Sequence, residues 1–133
     1  MSRDIKYLVP ELQDAFSYAK EQWQVKYPLL PVPFLTCTFR SFSEQNALYE
    51  QGRSKPGKII TYAKAGSSPH NRYPSFAFDI AFLTVEEELD WDKKLFKLFA
   101  DIVKQKEGIE WGGDWKKGFV DRPHFQVRNW REK

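Results

Sequence analysis

Two histidines and a few acidic residues carry the chemistry that this sequence can be read for. His70 and Asp79 stand nine residues apart, the carboxylate inside the short apolar run Phe76-Ala77-Phe78-Asp79-Ile80-Ala81-Phe82. The only other histidine, His124, lies in Asp121-Arg122-Pro123-His124-Phe125-Gln126. Two imidazoles and one carboxylate are a common ligand set for a catalytic zinc ion, which keeps its fourth position open for water. An aspartate within an apolar strand is costly unless its charge is met by a cation, a metal or several hydrogen bonds. A buried arginine or backbone donors would serve Asp79 as well as a metal would. A lone histidine is usually not a ligand, yet both histidines here adjoin a proline and have an aspartate nearby, which favours the metal.

Asp121 is the candidate base. An acid three residues before a metal-binding His124 can lie beside the attacking water, accept its proton and later deliver it to a leaving amine. A metal would lower the pKa of that water to about 7 and polarise the scissile carbonyl. Asp121 could equally be a turn-former or a surface partner of Arg122. Asp114, in Trp111-Gly112-Gly113-Asp114-Trp115, is a rival for the base or for the support of a histidine. Arg40, before Ser41-Phe42-Ser43-Glu44-Gln45, could hold a developing oxyanion or a substrate carboxylate by charge-assisted hydrogen bonds, or be an ordinary surface cation. Neither a GxSxG nor a Walker pattern occurs, and HExxH is absent, so a thermolysin-like, helix-borne zinc site is not expected.

The elements that must position these residues follow from periodicity. Residues 9–27 read as a helix, with Pro10 in its first turn and Leu12, Ala15, Phe16, Ala19 and Trp23 on one face. Residues 32–40 read as a strand, and Ser41 with Glu44 predicts a capping box that opens a second helix through Tyr49, stopped by Gly52. Residues 54–69 predict a long polar loop around Ile59-Ile60-Thr61, of a length more often functional than idle. Residues 76–83 predict a strand, residues 91–106 an amphipathic helix ending before Gly108, and residues 109–111 and 124–127 two further strands. The order α-β-α-loop-β-α-β-β suggests an α+β domain with a small, mostly antiparallel sheet and flanking helices.

At 133 residues the chain is expected to form one domain, residues 1–133, with little room for a second. Charged residues make up 29% and the net charge is only +3, spread along the chain, which argues against nucleic acid as a partner and suits an anionic polymer such as a bacterial cell wall. Aromatics at 17% support a ring-rich core. The single cysteine, Cys37, excludes an internal disulfide and is expected as a buried core thiol. The amino-terminal residues lack the apolar core of a secretory signal, and no run approaches a membrane span. The expectation is a monomer made in the cytoplasm, without membrane insertion, that needs a helper to reach work outside it.

Taken in order, Ser68-x-His70, Ala77-x-Asp79, Trp111-Gly112-Gly113-Asp114-Trp115 and Asp121-x-Pro123-His124-Phe125-Gln126 resemble the zinc-dependent cell-wall peptidases of the D-alanyl-D-alanine carboxypeptidase and VanX superfamily. Arg40-Ser41, Gln45-Asn46-Ala47-Leu48-Tyr49, Gln51-Gly52-Arg53 and Lys55-Pro56-Gly57 resemble one branch, the L-alanyl-D-glutamate endopeptidases, which include phage endolysins. The resemblance spans residues 39–126. It implies His70, Asp79 and His124 as zinc ligands, Asp121 as general base and Arg40 as a substrate or transition-state contact. It implies Ser68 and Gln45 as substrate-binding candidates, and the α+β fold shared with the Hedgehog amino-terminal domain. Many relatives take a shorter, glycine-containing step from histidine to aspartate; here the step includes Pro74-Ser75, which a loop before the strand can absorb. The implied activity is hydrolysis of the peptidoglycan stem peptide at the L-Ala-D-Glu bond in cell-wall lysis, with a holin-type partner for release. The rivals are a D-Ala-D-Ala dipeptidase or carboxypeptidase, and a non-catalytic metal-stabilised wall-binding module.

Overall fold

In the computed structural model, which describes residues 1–133, Pro10 opens α1 (Pro10–Lys26), its fixed φ suited to a first helical turn. Leu12, Ala15, Phe16, Ala19 and Trp23 form the buried face of this helix, as their spacing predicts. The chain continues through β1 (Val32–Cys37), α2 (Phe42–Glu50), β2 (Ala77–Leu83), α3 (Lys93–Val103), β3 (Ile109–Trp111) and β4 (His124–Val127). The strands form one sheet in the order β1-β2-β4-β3, every pair antiparallel. The α+β architecture is the expected one.

Two elements are shorter than the sequence reading has them. β1 stops at Cys37 rather than Arg40, because the register with β2 shifts between Leu35 and Cys37 and the chain leaves the ladder. Thr38 N–H then donates to Ser2 O, and Arg40 N–H to His70 O. α3 is shorter at both ends than 91–106: Asp92 caps its start through the Lys94 N–H, and the residues beyond Val103 close tighter turns before Gly108 at φ +85°. The Ile59-Ile60-Thr61 segment lies in a loop, as the sequence reading has it. The capping box of α2 is present in both halves, with Ser41 Oγ accepting from Glu44 N–H and Glu44 Oε1 from Ser41 N–H.

The period-two alternation of the strands divides the sheet into two unlike faces. Phe78, Ile80 and Phe82 of β2, Phe125 and Val127 of β4, and Ile109 and Trp111 of β3 join α1 and α3 in a cluster of 21 buried residues. Rings interlock there edge-on, Phe16 against Phe78 at 5.5 Å, Phe82 against Phe96 at 4.9 Å and Phe99 against Phe125 at 5.9 Å. The opposite face carries Cys37, Asp79, His124, Gln126 and Glu110. The register sets Cys37 opposite Asp79, Asp79 opposite His124, and Gln126 opposite Glu110. Cys37 is buried as expected, but it lies in this polar face and not in the hydrophobic core.

Candidate active site

Asp79 stands at the middle of the polar row because β2 lies between β1 and β4. Its register partner His124 turns Nδ1 to within 2.9 Å of Asp79 Oδ1. His70 comes from outside the sheet, on a short 3-10 turn, Pro69–Asn71. Ser68 caps that turn, its Oγ accepting from His70 N–H, while Asn71 Oδ1 accepts from Ser68 N–H. Asn71 Nδ2 also donates to Arg40 O. So held, His70 points Nε2 at the same oxygen, 3.2 Å from Asp79 Oδ1. The long step from His70 to Asp79 is taken up before β2, where Ser75 N–H donates to Tyr7 O and Val9 N–H to Ser75 O. The chain between the two residues is thus tied to the amino-terminal segment and does not disturb their approach.

The far sides of both imidazoles are engaged. His70 Nδ1 lies 2.8 Å from Thr38 O, an acceptor only, so this nitrogen carries the proton and Nε2 is left to face Asp79. His124 Nε2 lies 2.8 Å from Gln126 Oε1. Two ring nitrogens thus aim at one carboxylate oxygen, and the rings meet edge-on at 5.2 Å. This donor set fits a metal ion such as zinc, whose histidine ligands regularly give their other ring nitrogen to an acceptor. Cys37, His70 and Asp79 also offer ligand atoms within 4.8 Å of one another. Cys37 Sγ, however, faces Nδ1 of His70 at 3.6 Å, the nitrogen already given to Thr38. It therefore adjoins the outer side of that imidazole.

Electrostatics reflect the same crowding. Burial opposes charge on His70, but the Asp79 carboxylate outweighs it and holds the pKa up to about 10. Burial would likewise raise Asp79, yet His70 and His124 hold it well below the usual carboxylate range. Asp121 is pushed up, first by burial and then by the negative charge of Asp79, against the pull of His124, His70 and Arg40.

Asp121 lines the same cavity of about 750 Å³ as His70, Asp79 and His124. Its loop is fastened at several points. Asp121 N–H donates to Gly112 O, Trp111 Nε1–H to Arg122 O at 2.7 Å, and Ile80 N–H to Pro123 O. Gly112 is required for this approach, since a Cβ there would collide with Asp121 O. Asp114, the rival base, does not line the cavity; it is half exposed and accepts from Lys104 Nζ at 2.8 Å. The Trp111–Trp115 stretch therefore serves the site through Gly112 and through Trp115, whose ring lies 5.4 Å from that of His124.

Arg40 is largely buried in the cavity wall, with Nη2 3.6 Å from Asp79 Oδ2. It is no ordinary surface cation. Gln45, expected beside the substrate, is instead fully buried and does not line the cavity. Its Oε1 accepts from Arg40 Nη1 at 2.9 Å and its Nε2 donates to Ala63 O at 2.7 Å, so both ends of the amide are occupied and it holds Arg40. Ser68 does line the cavity, and its Oγ also caps the turn of His70. The sequence reading missed the Thr38 carbonyl, Gln126 and Glu110. Alternation along 109–111 and 124–127 marks Glu110 and Gln126 as sharing the parity opposite the apolar positions, which is the signal that would have found them.

The sequence model of a family described as D-alanyl-D-alanine carboxypeptidase matches residues 61–127. The peptidoglycan L-alanyl-D-glutamate endopeptidase CwlK of Bacillus subtilis (strain 168) is 34% identical over 148 aligned positions, covering 84% of this chain and 86% of that protein. The crystal structure of the Serratia marcescens L-Ala D-Glu endopeptidase ChiX matches with a TM-score of 0.68 at 20% identity, covering 96% of this chain and 85% of that one. At that identity the second likeness is one of fold.

Proposed function

Since the chain belongs to the D-alanyl-D-alanine carboxypeptidase family of peptidases, we propose that it is a zinc-dependent peptidase of bacterial peptidoglycan that cuts the stem peptide between L-alanine and D-glutamate. The observation that carries the metal reading is the sharing of Asp79 Oδ1 by two imidazole nitrogens whose far sides are both engaged. The choice of bond is supported by the likeness to CwlK over most of both chains.

His70 through Nε2, His124 through Nδ1 and Asp79 would hold the zinc ion, which when bound would polarise the scissile carbonyl and make water acidic enough to attack near neutral pH. Asp121 is the general base: it takes the proton as the water oxygen bonds to the carbonyl carbon. When the C–N bond breaks, Asp121 returns that proton to the leaving amine of the D-glutamate residue. A carboxyl pushed up by burial suits both halves of this exchange. Arg40 donates to the oxygen on which charge develops, and Gln45 keeps its guanidinium in place. Ser68 caps the turn of His70 and meets the substrate at the cavity wall. The likeness of residues 40–57 to the branch that includes endolysins extends the proposal to cell-wall lysis with a holin-type release partner. Co-expression in a bacterial host is expected to give lysis only when both are made.

The test is digestion of purified peptidoglycan with and without a chelator, followed by mass spectrometry of the released peptides. Chelator-sensitive release of peptides that begin at D-glutamate is expected. Release of D-alanine or its dipeptide would move the specificity to the carboxypeptidase or dipeptidase reading. Absence of cleavage by folded, metal-loaded protein on several wall types would leave a binding module.

A further inference from the structure

Gln126 and Glu110 lie on the polar face beside His124 and make no direct contribution to the reaction proposed above. Gln126 is nine-tenths buried, with its side chain between His124 Nε2 and the Glu110 carboxylate, its register partner on β3. An amide has one accepting end and one donating end, and which end faces which way is decided by its neighbours. Glu110 Oε1 can only accept, so it takes the NH₂ group of Gln126. The carbonyl end is thereby turned to His124 at 2.8 Å, and Nε2 of that ring must be the donor. Nδ1 is the nitrogen that meets Asp79, where a proton on it bonds the carboxylate until a metal takes its place.

We propose that Glu110 is a positioning residue, which sets the tautomer of His124 through Gln126 and so selects Nδ1 as the nitrogen offered to the metal. The inference rests on the metal reading of the site. It also exposes an asymmetry: the tautomer of His70 is set by the Thr38 main-chain carbonyl, which no substitution can remove, whereas that of His124 depends on two side chains. With an amide in place of Glu110, Gln126 is free to turn over and offer its NH₂ to Nε2. The one proton of the neutral ring then stays on Nδ1, and the ligand is lost.

The experiment compares wild type, Glu110→Gln, and the double variant Glu110→Gln with Gln126→Glu, which returns an obligatory acceptor to His124. Zinc affinity is read by competition with a chelator, and cobalt(II) supplies an absorption spectrum sensitive to the ligand set. Glu110→Gln is expected to weaken zinc binding about 10- to 100-fold and to alter the cobalt spectrum, with both restored in the double variant. Wild-type affinity and spectrum in Glu110→Gln would overturn the proposal. Ring ¹⁵N shifts of His124 in metal-free protein give a readout that needs no metal. Loss of the Nε2–H form in Glu110→Gln supports the proposal, and its persistence refutes it. Failure of the wild type to bind metal would instead overturn the functional reading, a separate outcome.

Discussion

The two faces of the sheet are built from the same four strands and spend their free energy differently. On the helix-covered face, Phe78, Phe82, Phe99 and Phe125 lose nearly all contact with solvent, and each ring removed from water stabilises the fold. On the other face, Asp79, His70, His124 and Asp121 crowd ionisable groups into a cavity wall, where desolvation opposes the charges of Asp79, His70 and Asp121. One face holds the protein together. The other is a poised arrangement that the first face supports, and part of it costs stability.

Three substitutions or treatments separate the faces. The largest effect is expected from Asp121→Asn, which should lower kcat/KM by about 10²- to 10⁴-fold while zinc remains bound. Because burial raises the Asp121 pKa in the folded state, its ionised form opposes folding at neutral pH. Thermal unfolding of Asp121→Asn at pH 7 should therefore occur at the same temperature as wild type or higher. A marked drop in melting temperature would show that Asp121 supports the fold and that the two faces do not differ in this way.

Phe82→Ala is the converse. It should cost about 3–5 kcal/mol of stability, read by denaturant unfolding, because the ring is fully buried between Trp23, Phe96 and Phe99. The molecules that stay folded at low temperature should keep most of their turnover. Equal losses of activity and stability would mean that the two faces are not separable.

The smallest effect concerns pH. His70 has a folded-state pKa of about 10 against an ordinary 6.5, so its pairing with Asp79 contributes fully below pH 6.5 and is lost as pH rises through 10. Chelator-treated protein should lose stability from about pH 7 upward, on the order of 2 kcal/mol, since the pair is formed against its own desolvation. Metal-loaded protein should lack this slope, because Nε2 then carries no proton to lose. Melting curves of both forms across this range make the comparison.

Much of this was legible in the chain itself. The helix over 10–26 follows from Pro10 and the apolar spacing of Leu12 through Trp23, and the capping box from Ser41 and Glu44. His70, Asp79, His124 and Asp121 stood out by type and spacing, each with a plain structural use beside the chemical one, and the family resemblance gave them their roles; the structure brings all four to one cavity. Gln45 was read from its motif as a candidate beside the substrate, and only packing shows that both ends of its amide are already bonded. The overrun of the first strand came from the same limit: Thr38 through Arg40 have strand-like composition, but their partners are Ser2 and His70.

The sequence by itself determined which residues are apolar, which can ionise and with what period each recurs, because these are properties of side chains and local backbone. It thereby determined the two faces of each strand. Only the tertiary structure decided that β4 lies between β2 and β3. That pairing is a long-range choice with no local signature. It sets His124 opposite Asp79 and Gln126 opposite Glu110, and with Cys37 opposite Asp79 it gathers five residues distant in sequence onto one polar face.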